Sequence, residues 1–373
     1  VQTKVDASVI QEALQAAPLA GTGLRQVELR QKPVSGASTY EVSLPASALA
    51  DQGESRVFQI VTELGTLELP ATLSTEDLAG HELAKVRFIR MELPKTVADQ
   101  LGTQHGVRLE LVMDGDAWPD THGLKLHLPY LPLSGAERDR IVAFALNASH
   151  VATPLPKSRY DQEKREVAFP VSSAAGNYAA VSVQQKFTDI ADVPWAKNAL
   201  EALAVRDIVD AAENGSERQL HPKQEMTRGQ YVQWLITALG LNGASSIPFS
   251  DVSTDASYYE AVNAARSLGI TDGSGDGQFK PEATITRQEM ITLTVRALQV
   301  AGFVEPESVS TDNLARFRDA SVIRSYARDS VAILVDLGIV SGYNGEVKPL
   351  AEATRAESAA LVYAMMDKLV WPN

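Results

Sequence analysis

The sequence predicts an α+β multidomain protein: a β-rich, sandwich-like N-terminal half followed by an all-α half. Three observations carry that expectation. Apolar residues alternate with period two in short runs between residues 40 and 183, as half-buried strands require. Beyond residue 187 the apolar period becomes helical. There the chain also repeats itself, with Phe187, Phe249 and Phe317 each opening a copy of the same unit.

In chain order, residues 1–17 read as a short helix, with Val9, Ile10, Ala13, Leu14 and Ala17 at helical spacing behind Asp6 as its cap. Strands follow at 40–44, 57–61, 85–89, 107–111 and 124–128, with further candidates at 141–146, 166–169 and 178–183. Gly36, Asp114-Gly115 and Ser134-Gly135 supply turns between them. Many short strands with polar turns point to sandwich packing. The polar break at 114–120 divides this half into residues 1–113 and a smaller sandwich-like module, 114–186.

The repeated units run 187–248, 249–316 and 317–373. Each opens on Phe-x-Asp, with Asp189, Asp251 and Asp319, and continues into a helix at 195–205, 257–268 or 326–337. A turn comes next, with Gly273 and Gly342 in the second and third copies but Ala211 in the first. Then a polar loop ends in Leu220-His221-Pro222, Phe279-Lys280-Pro281 or Val347-Lys348-Pro349. Finally Thr227, Thr286 and Thr354 are followed three residues later by Gln230, Glu289 and Glu357, the capping box that starts a second helix. One such unit cannot bury its own apolar stripe, so the three must pack on one another.

Arg228, Arg287 and Arg355 fall on the first turns of the capped helices. Unpaired N–H groups and the dipole already favour an anion there, so an added guanidinium makes a site for a small carboxylate or phosphate. The alternative is pairing of each Arg with a neighbouring carboxylate. Lys280 and Lys348 can add charge-assisted hydrogen bonds. Trp195 and Tyr326 are suited either to stacking on a flat ligand or to wedging the core.

Residues 187–370 resemble three S-layer homology repeats, whose pattern runs Phe-x-Asp, Trp-Ala, Gly-Ile, a Gly-rich loop, Phe-Lys-Pro and Thr-Arg-Ala-Glu. The resemblance implies a pseudo-threefold helical bundle that anchors extracellular proteins of Gram-positive bacteria to a secondary cell wall polysaccharide. It implies that grooves between repeats hold N-acetylmannosamine bearing a pyruvate ketal. The three Arg would take the ketal carboxylate. Asp189, Asp251, Asp319, Trp195, Tyr326, the backbones of Gly273 and Gly342, Lys280, Lys348, Glu289 and Glu357 would complete the ligand set, although an Asp before a helix is also a common cap. The copies are unequal: Ser257 stands where the family has Trp, and Ala211 cannot give the backbone freedom of Gly273 and Gly342. Fewer than three working grooves are expected. Residues 123–183 bear a weaker similarity to a β module often found before such repeats, through Leu128-Pro129-Tyr130, Arg159-Tyr160-Asp161, Val167-Ala168-Phe169 and Tyr178-Ala179-Ala180-Val181. The join, Gln184-Gln185-Lys186, is short.

Composition narrows the function classes. A net charge of −13 argues against nucleic acid, which needs a basic face. Residues 187–373 carry 16 Lys+Arg against 25 Asp+Glu, so an acidic polymer would have to be held by local pockets rather than by long-range steering. Zero cysteines exclude disulfides and thiol chemistry. No apolar run of about 18 residues predicts membrane insertion. Val1-Gln2-Thr3-Lys4 carries no export signal, which suggests a processed end within a longer protein. The six His lack metal-ligand spacing, and the loop opening at Asp272 has Ala283 where an EF-hand needs a bidentate Glu. With no P-loop or Gly-x-Ser-x-Gly, the expectation is a non-enzymatic binding protein without metal or cofactor. The alternatives are a polysaccharide-active enzyme, catalytic in 1–186 or in an upstream part, that the repeats anchor, and a surface-lattice protein that self-associates.

Overall fold

The computed structural model describes residues 1–17, 25–51, 56–132, 137–214, 217–243, 247–305 and 309–371. It divides into two compact units, Val1–Gln184 and Gln185–Trp371.

The first unit is built from two sheets. One is eight-stranded, in the spatial order Gln2–Lys4, Thr39–Pro45, Leu83–Glu92, His105–Met113, Ala175–Ser182, Ile141–Leu146 and Ala152–Pro154, with Asp116–Ala117 also on His105–Met113. The other is six-stranded, in the order Arg159–Asp161, Glu166–Pro170, Lys125–Pro129, Gly65–Pro70, Arg56–Thr62 and Arg25–Arg30. Tyr40, Val86, Phe88 and Leu109 of the first meet Phe58, Leu67, Leu126 and Phe169 of the second in one buried core. Helix α1 (Ala7–Ala16) adds Ile10 to it, although Asp6 makes no side-chain cap. Helix α2 (Lys95–Leu101), absent from the sequence reading, covers a small separate core with Val97 and Leu101. The predicted turn at Ser134-Gly135 lies outside the described residues.

The expected division near Asp114 is corrected. Asp114 (φ 46°) and Gly115 (φ 100°) form the tight turn between His105–Met113 and Asp116–Ala117, with Val112 opposite Ala117. His105–Met113 then pairs with Ala175–Ser182, and Gly65–Pro70 pairs with Lys125–Pro129. Strands from the two proposed modules join edge to edge within each sheet and bury their side chains together, so residues 1–184 share one core.

His127 alternates with the core residues Leu126 and Leu128 and so lies on the other face of its strand, buried between two carboxylates. Its Nδ1 is 2.8 Å from Glu166 Oε1 and its Nε2 is 3.3 Å from Glu68 Oε1. Burial pushes the imidazole down, but Glu166 and Glu68 outweigh it and hold the group up at about 9, from an ordinary 6.5. A raised folded pKa stabilises the fold fully below the unfolded value, and that contribution is lost as pH rises through the folded one. Thermal melts of this unit are therefore expected to fall in Tm between pH 6.5 and 9, and His127→Gln to flatten the fall. A Tm that climbs across that window overturns the assignment.

The second unit is mainly helical, with short helices α3 (Lys197–Ala204), α5 (Tyr259–Ser267) and α7 (Arg328–Asp336) alternating with capped helices α4 (Arg228–Leu239), α6 (Arg287–Val300) and α8 (Arg355–Met365). It is not wholly α. Where the second and third copies turn on Gly273 (φ 84°) and Gly342 (φ 73°), the first copy continues from Ala211 into a small hairpin, Ala212–Asn214 with Glu217–Gln219. Each capped helix packs on the short helix of the following copy, α4 on α5 and α6 on α7, and α8 returns to α3.

The segments entering the capped helices, joined by isolated bridges, close the same cycle. Met226 N–H donates to Ala353, Ala353 to Ile285 and Ile285 to Met226, at 2.8, 2.9 and 2.9 Å. These three residues hold equivalent places before the caps, and all are fully buried. The capping boxes themselves form at all three helices.

Candidate functional site

The first-turn N–H groups do not await a ligand. Arg228 and Gly229 donate to Ala283 and Pro281 carbonyls, Arg287 and Gln288 to Ala351 and Pro349, and Arg355 and Ala356 to Gln224 and Pro222, all at 2.9–3.0 Å. The capping box takes the next position in each helix. Any anion site at these helix starts therefore rests on side chains, which corrects the backbone part of the expectation.

Two of the three guanidiniums face clefts. Arg228 donates from Nε to Phe279 O at 3.1 Å and from Nη1 to Glu289 at 3.3 Å. Arg287 repeats this with Val347 O at 2.9 Å and Glu357 at 3.3 Å. Each Arg is thus clamped by the next copy, while its Nη2 makes no hydrogen bond among the described residues. Glu289 and Glu357 also serve the capping boxes, accepting from Thr286 N–H and Thr354 N–H at 2.9 Å. One carboxylate thereby fixes both a helix start and the neighbouring copy's guanidinium.

The cleft at Arg228, about 480 Å³, is bounded by the Gly273 loop, Lys280, Glu289 and Tyr326. The cleft at Arg287, about 690 Å³, is bounded by the Gly342 loop, Lys348, Glu357 and Trp195. Each draws its Arg from one copy, its loop and Glu from the next and its aromatic from the one after. Trp195 and Tyr326 are 61% and 52% exposed, which places them at the rims and not in the core. Burial raises the Tyr326 phenol and the Glu289 carboxylate adds to the effect, so it stays protonated and able to donate.

The equivalent position at Arg355 is occupied by the chain's own side chains. Arg355 Nε donates to Leu220 O at 2.9 Å, Nη1 to the Asp210 carboxylate at 3.2 Å and Nη2 to Asp210 O at 2.8 Å. Its guanidinium lies 5.0 Å from the Trp234 ring, whose Nε1 donates to Asp210 at 3.3 Å. Trp234 stands where Leu293 and Leu361 line the two clefts, so a larger side chain fills the space. Arg355 side-chain exposure is 3%, which leaves no route for a ligand to it.

Asp189, Asp251 and Asp319 are not brought to either cleft. Each accepts two backbone N–H bonds from its own copy's triplet: Leu220 and His221, Phe279 and Lys280, Val347 and Lys348, at 2.7–3.0 Å. His221, Lys280 and Lys348 sit at φ 49°, 59° and 55°, so these Asp carboxylates hold a left-handed basic residue in place. The Asp residues position the loop and the two Lys, and the expected direct contact with a sugar is not supported by this placement.

The two glycines are required by close approach as well as by φ. A Cβ at Gly342 would stand 2.6 Å from Phe317 and 2.8 Å from Glu346 O, and one at Gly273 would stand 2.3 Å from Gln278 O. Gly342→Ala is expected to lower stability by about 1–3 kcal/mol and to deform the Arg287 cleft. Equal melting temperatures for variant and parent would refute this.

The sequence reading missed other residues that line the clefts. Tyr343, 71% exposed, and Glu346 border the Arg287 cleft; Thr292, Leu293 and Arg296 border the Arg228 cleft. The signal was present in the helix period: Glu289, Thr292, Leu293 and Arg296 recur at i, i+3, i+4 and i+7 on α6.

The family model for the S-layer homology domain matches residues 186–232, 248–291 and 316–359. Similar curated proteins include an amylopullulanase of Thermoanaerobacterium thermosulfurigenes, 35% identical over 193 residues, 51% of this chain and 10% of that protein. The surface-layer 125 kDa protein of Lysinibacillus sphaericus is 28% identical over 51% of this chain and 16% of its own length. A cellulosome-anchoring protein of Acetivibrio thermocellus is 29% identical over 39% of this chain and 33% of its own. The chain spans about a third or less of the length of these relatives.

Proposed function

We propose, from the premise that residues 186–359 are three S-layer homology domains of a cell-surface protein, that this chain attaches to the cell wall by binding a pyruvylated secondary cell wall polysaccharide. The observation that carries the reading is the pair of clefts at Arg228 and Arg287, each with an unengaged Nη2, a Lys and a rim aromatic around one opening. A ketal carboxylate on N-acetylmannosamine would accept from the guanidinium and the Lys, while the sugar ring lies against Tyr326 or Trp195. Such attachment is non-covalent and needs no catalysis. Residues 1–184 then act as a spacer or building block in a surface layer of a Gram-positive bacterium. Among the described residues no helix is long and apolar enough to cross a membrane.

Two clefts on one polymer gain from effective concentration, which raises avidity by about 10²-fold or more over a single cleft when the spacing fits. The test is sedimentation of the protein with purified wall before and after chemical removal of the ketal. Binding is expected only before removal; equal binding to both walls would refute the pyruvate reading.

A further inference from the structure

Resting on that reading, we infer that the two clefts recognise different saccharide residues of the polymer: the Arg228 cleft takes one with a second anionic group, read by Arg296, and the Arg287 cleft takes one with an apolar substituent. The two openings share a plan but differ at matched positions. Thr271, Ser274 and Thr292 of the Arg228 cleft are replaced by Val340, Tyr343 and Ala360 in the Arg287 cleft. On the helices, Glu289, Thr292, Leu293 and Arg296 of α6 correspond to Glu357, Ala360, Leu361 and Ala364 of α8. A cation in one face is therefore a methyl group in the other.

Charge follows the same division. Arg228, Lys280 and Arg296 face Asp272 and Glu289 in one cleft, leaving an excess of one positive charge. Arg287 and Lys348 face Glu346 and Glu357 in the other, which is balanced. Arg296 forms no ion pair among the described residues; its hydrogen bond is a long one, 3.4 Å from Nη1 to Ile270 O. Half-buried on the wall of the cleft, it is a charge that no carboxylate of the described residues pairs directly. Arg296 lies two turns along α6 from the Glu289 that clamps Arg228, about 10 Å on the helix axis. A ligand satisfying both guanidiniums must carry its anions on separate parts. On the other face Ala364 stands in place of that charge, and Val340, Tyr343 and Ala360 give the Arg287 cleft a surface for an acyl group.

The test uses the full chain with one cleft silenced. The probes are the methyl glycoside of ketal-pyruvylated N-acetylmannosamine and the same glycoside bearing an added phosphate monoester. In Arg287→Ala protein, where the Arg228 cleft remains, the phosphorylated probe is expected to bind about tenfold or more tighter, the worth of one charge-assisted hydrogen bond. Adding Arg296→Ala removes that preference, while Arg296→Lys retains part of it. In Arg228→Ala protein the phosphate confers no gain. A preference that survives Arg296→Ala, or that is equal in both clefts, overturns the inference. If the unphosphorylated probe binds the wild-type chain without any preference, the discrimination alone fails; if it does not bind, the wall-attachment reading fails with it.

Discussion

Arg228→Ala combined with Arg287→Ala is expected to abolish retention on pyruvylated wall while leaving the melting temperature nearly unchanged. Each substitution removes the charge-assisted contact to a carboxylate, about 1.5–3 kcal/mol or roughly 10- to 150-fold in affinity. Loss of both clefts also removes the avidity of two-point attachment. The structural loss is small by comparison. Both guanidiniums border open clefts, and the freed carboxylates of Glu289 and Glu357, 31% and 33% exposed, can rehydrate. Each single variant is expected to weaken wall binding without eliminating it. A double variant that still sediments at the wild-type level overturns the anion role of both residues.

Arg355→Ala is expected to do the opposite. Its guanidinium satisfies the carbonyls of Leu220 and Asp210 from a site that water does not enter, and it covers the face of Trp234. Orphaning those acceptors and opening a cavity costs about 2–4 kcal/mol. Asp210 is 67% exposed and rehydrates easily, so its ion pair adds little to that figure. For a unit of this size the loss lowers Tm by about 5–15 °C, read by calorimetry. Binding to wall below the transition is retained. A variant that melts like the parent but no longer binds would return Arg355 to the ligand set.

Local chemistry was legible in the sequence, and long-range pairing was not. Thr followed three residues later by Gln or Glu placed the three capped helices because a cap is decided within four residues. The pairing of Gly65–Pro70 with Lys125–Pro129 is decided by partners far apart in the chain, and the polar run at Asp114 looks alike whether it ends a domain or turns a hairpin. Arg25–Arg30 was missed because its charged ends mask a strand whose one fully buried residue is Val27. Helix α2 was missed even though Pro94 precedes it and Gly102 (φ 68°) follows, the expected punctuation. At the site, the guanidiniums and rim aromatics could be anticipated from the repeat. The plugging of one position by Trp234 depends on a single Leu-to-Trp difference between copies, whose meaning appears only when the three helix faces are superposed.

The ring of hydrogen bonds through Met226, Ala353 and Ile285 fixes the number of copies at three. In an open solenoid each repeat leaves a free end on which another can stack. Here the last copy returns to the first, so a fourth would find no edge, and a chain lacking one would expose two. The ring also cannot close until residues near 353 have been synthesised. A shortened chain with two copies would thus carry unmet pairing edges and tend to recruit a second molecule to fill the gap.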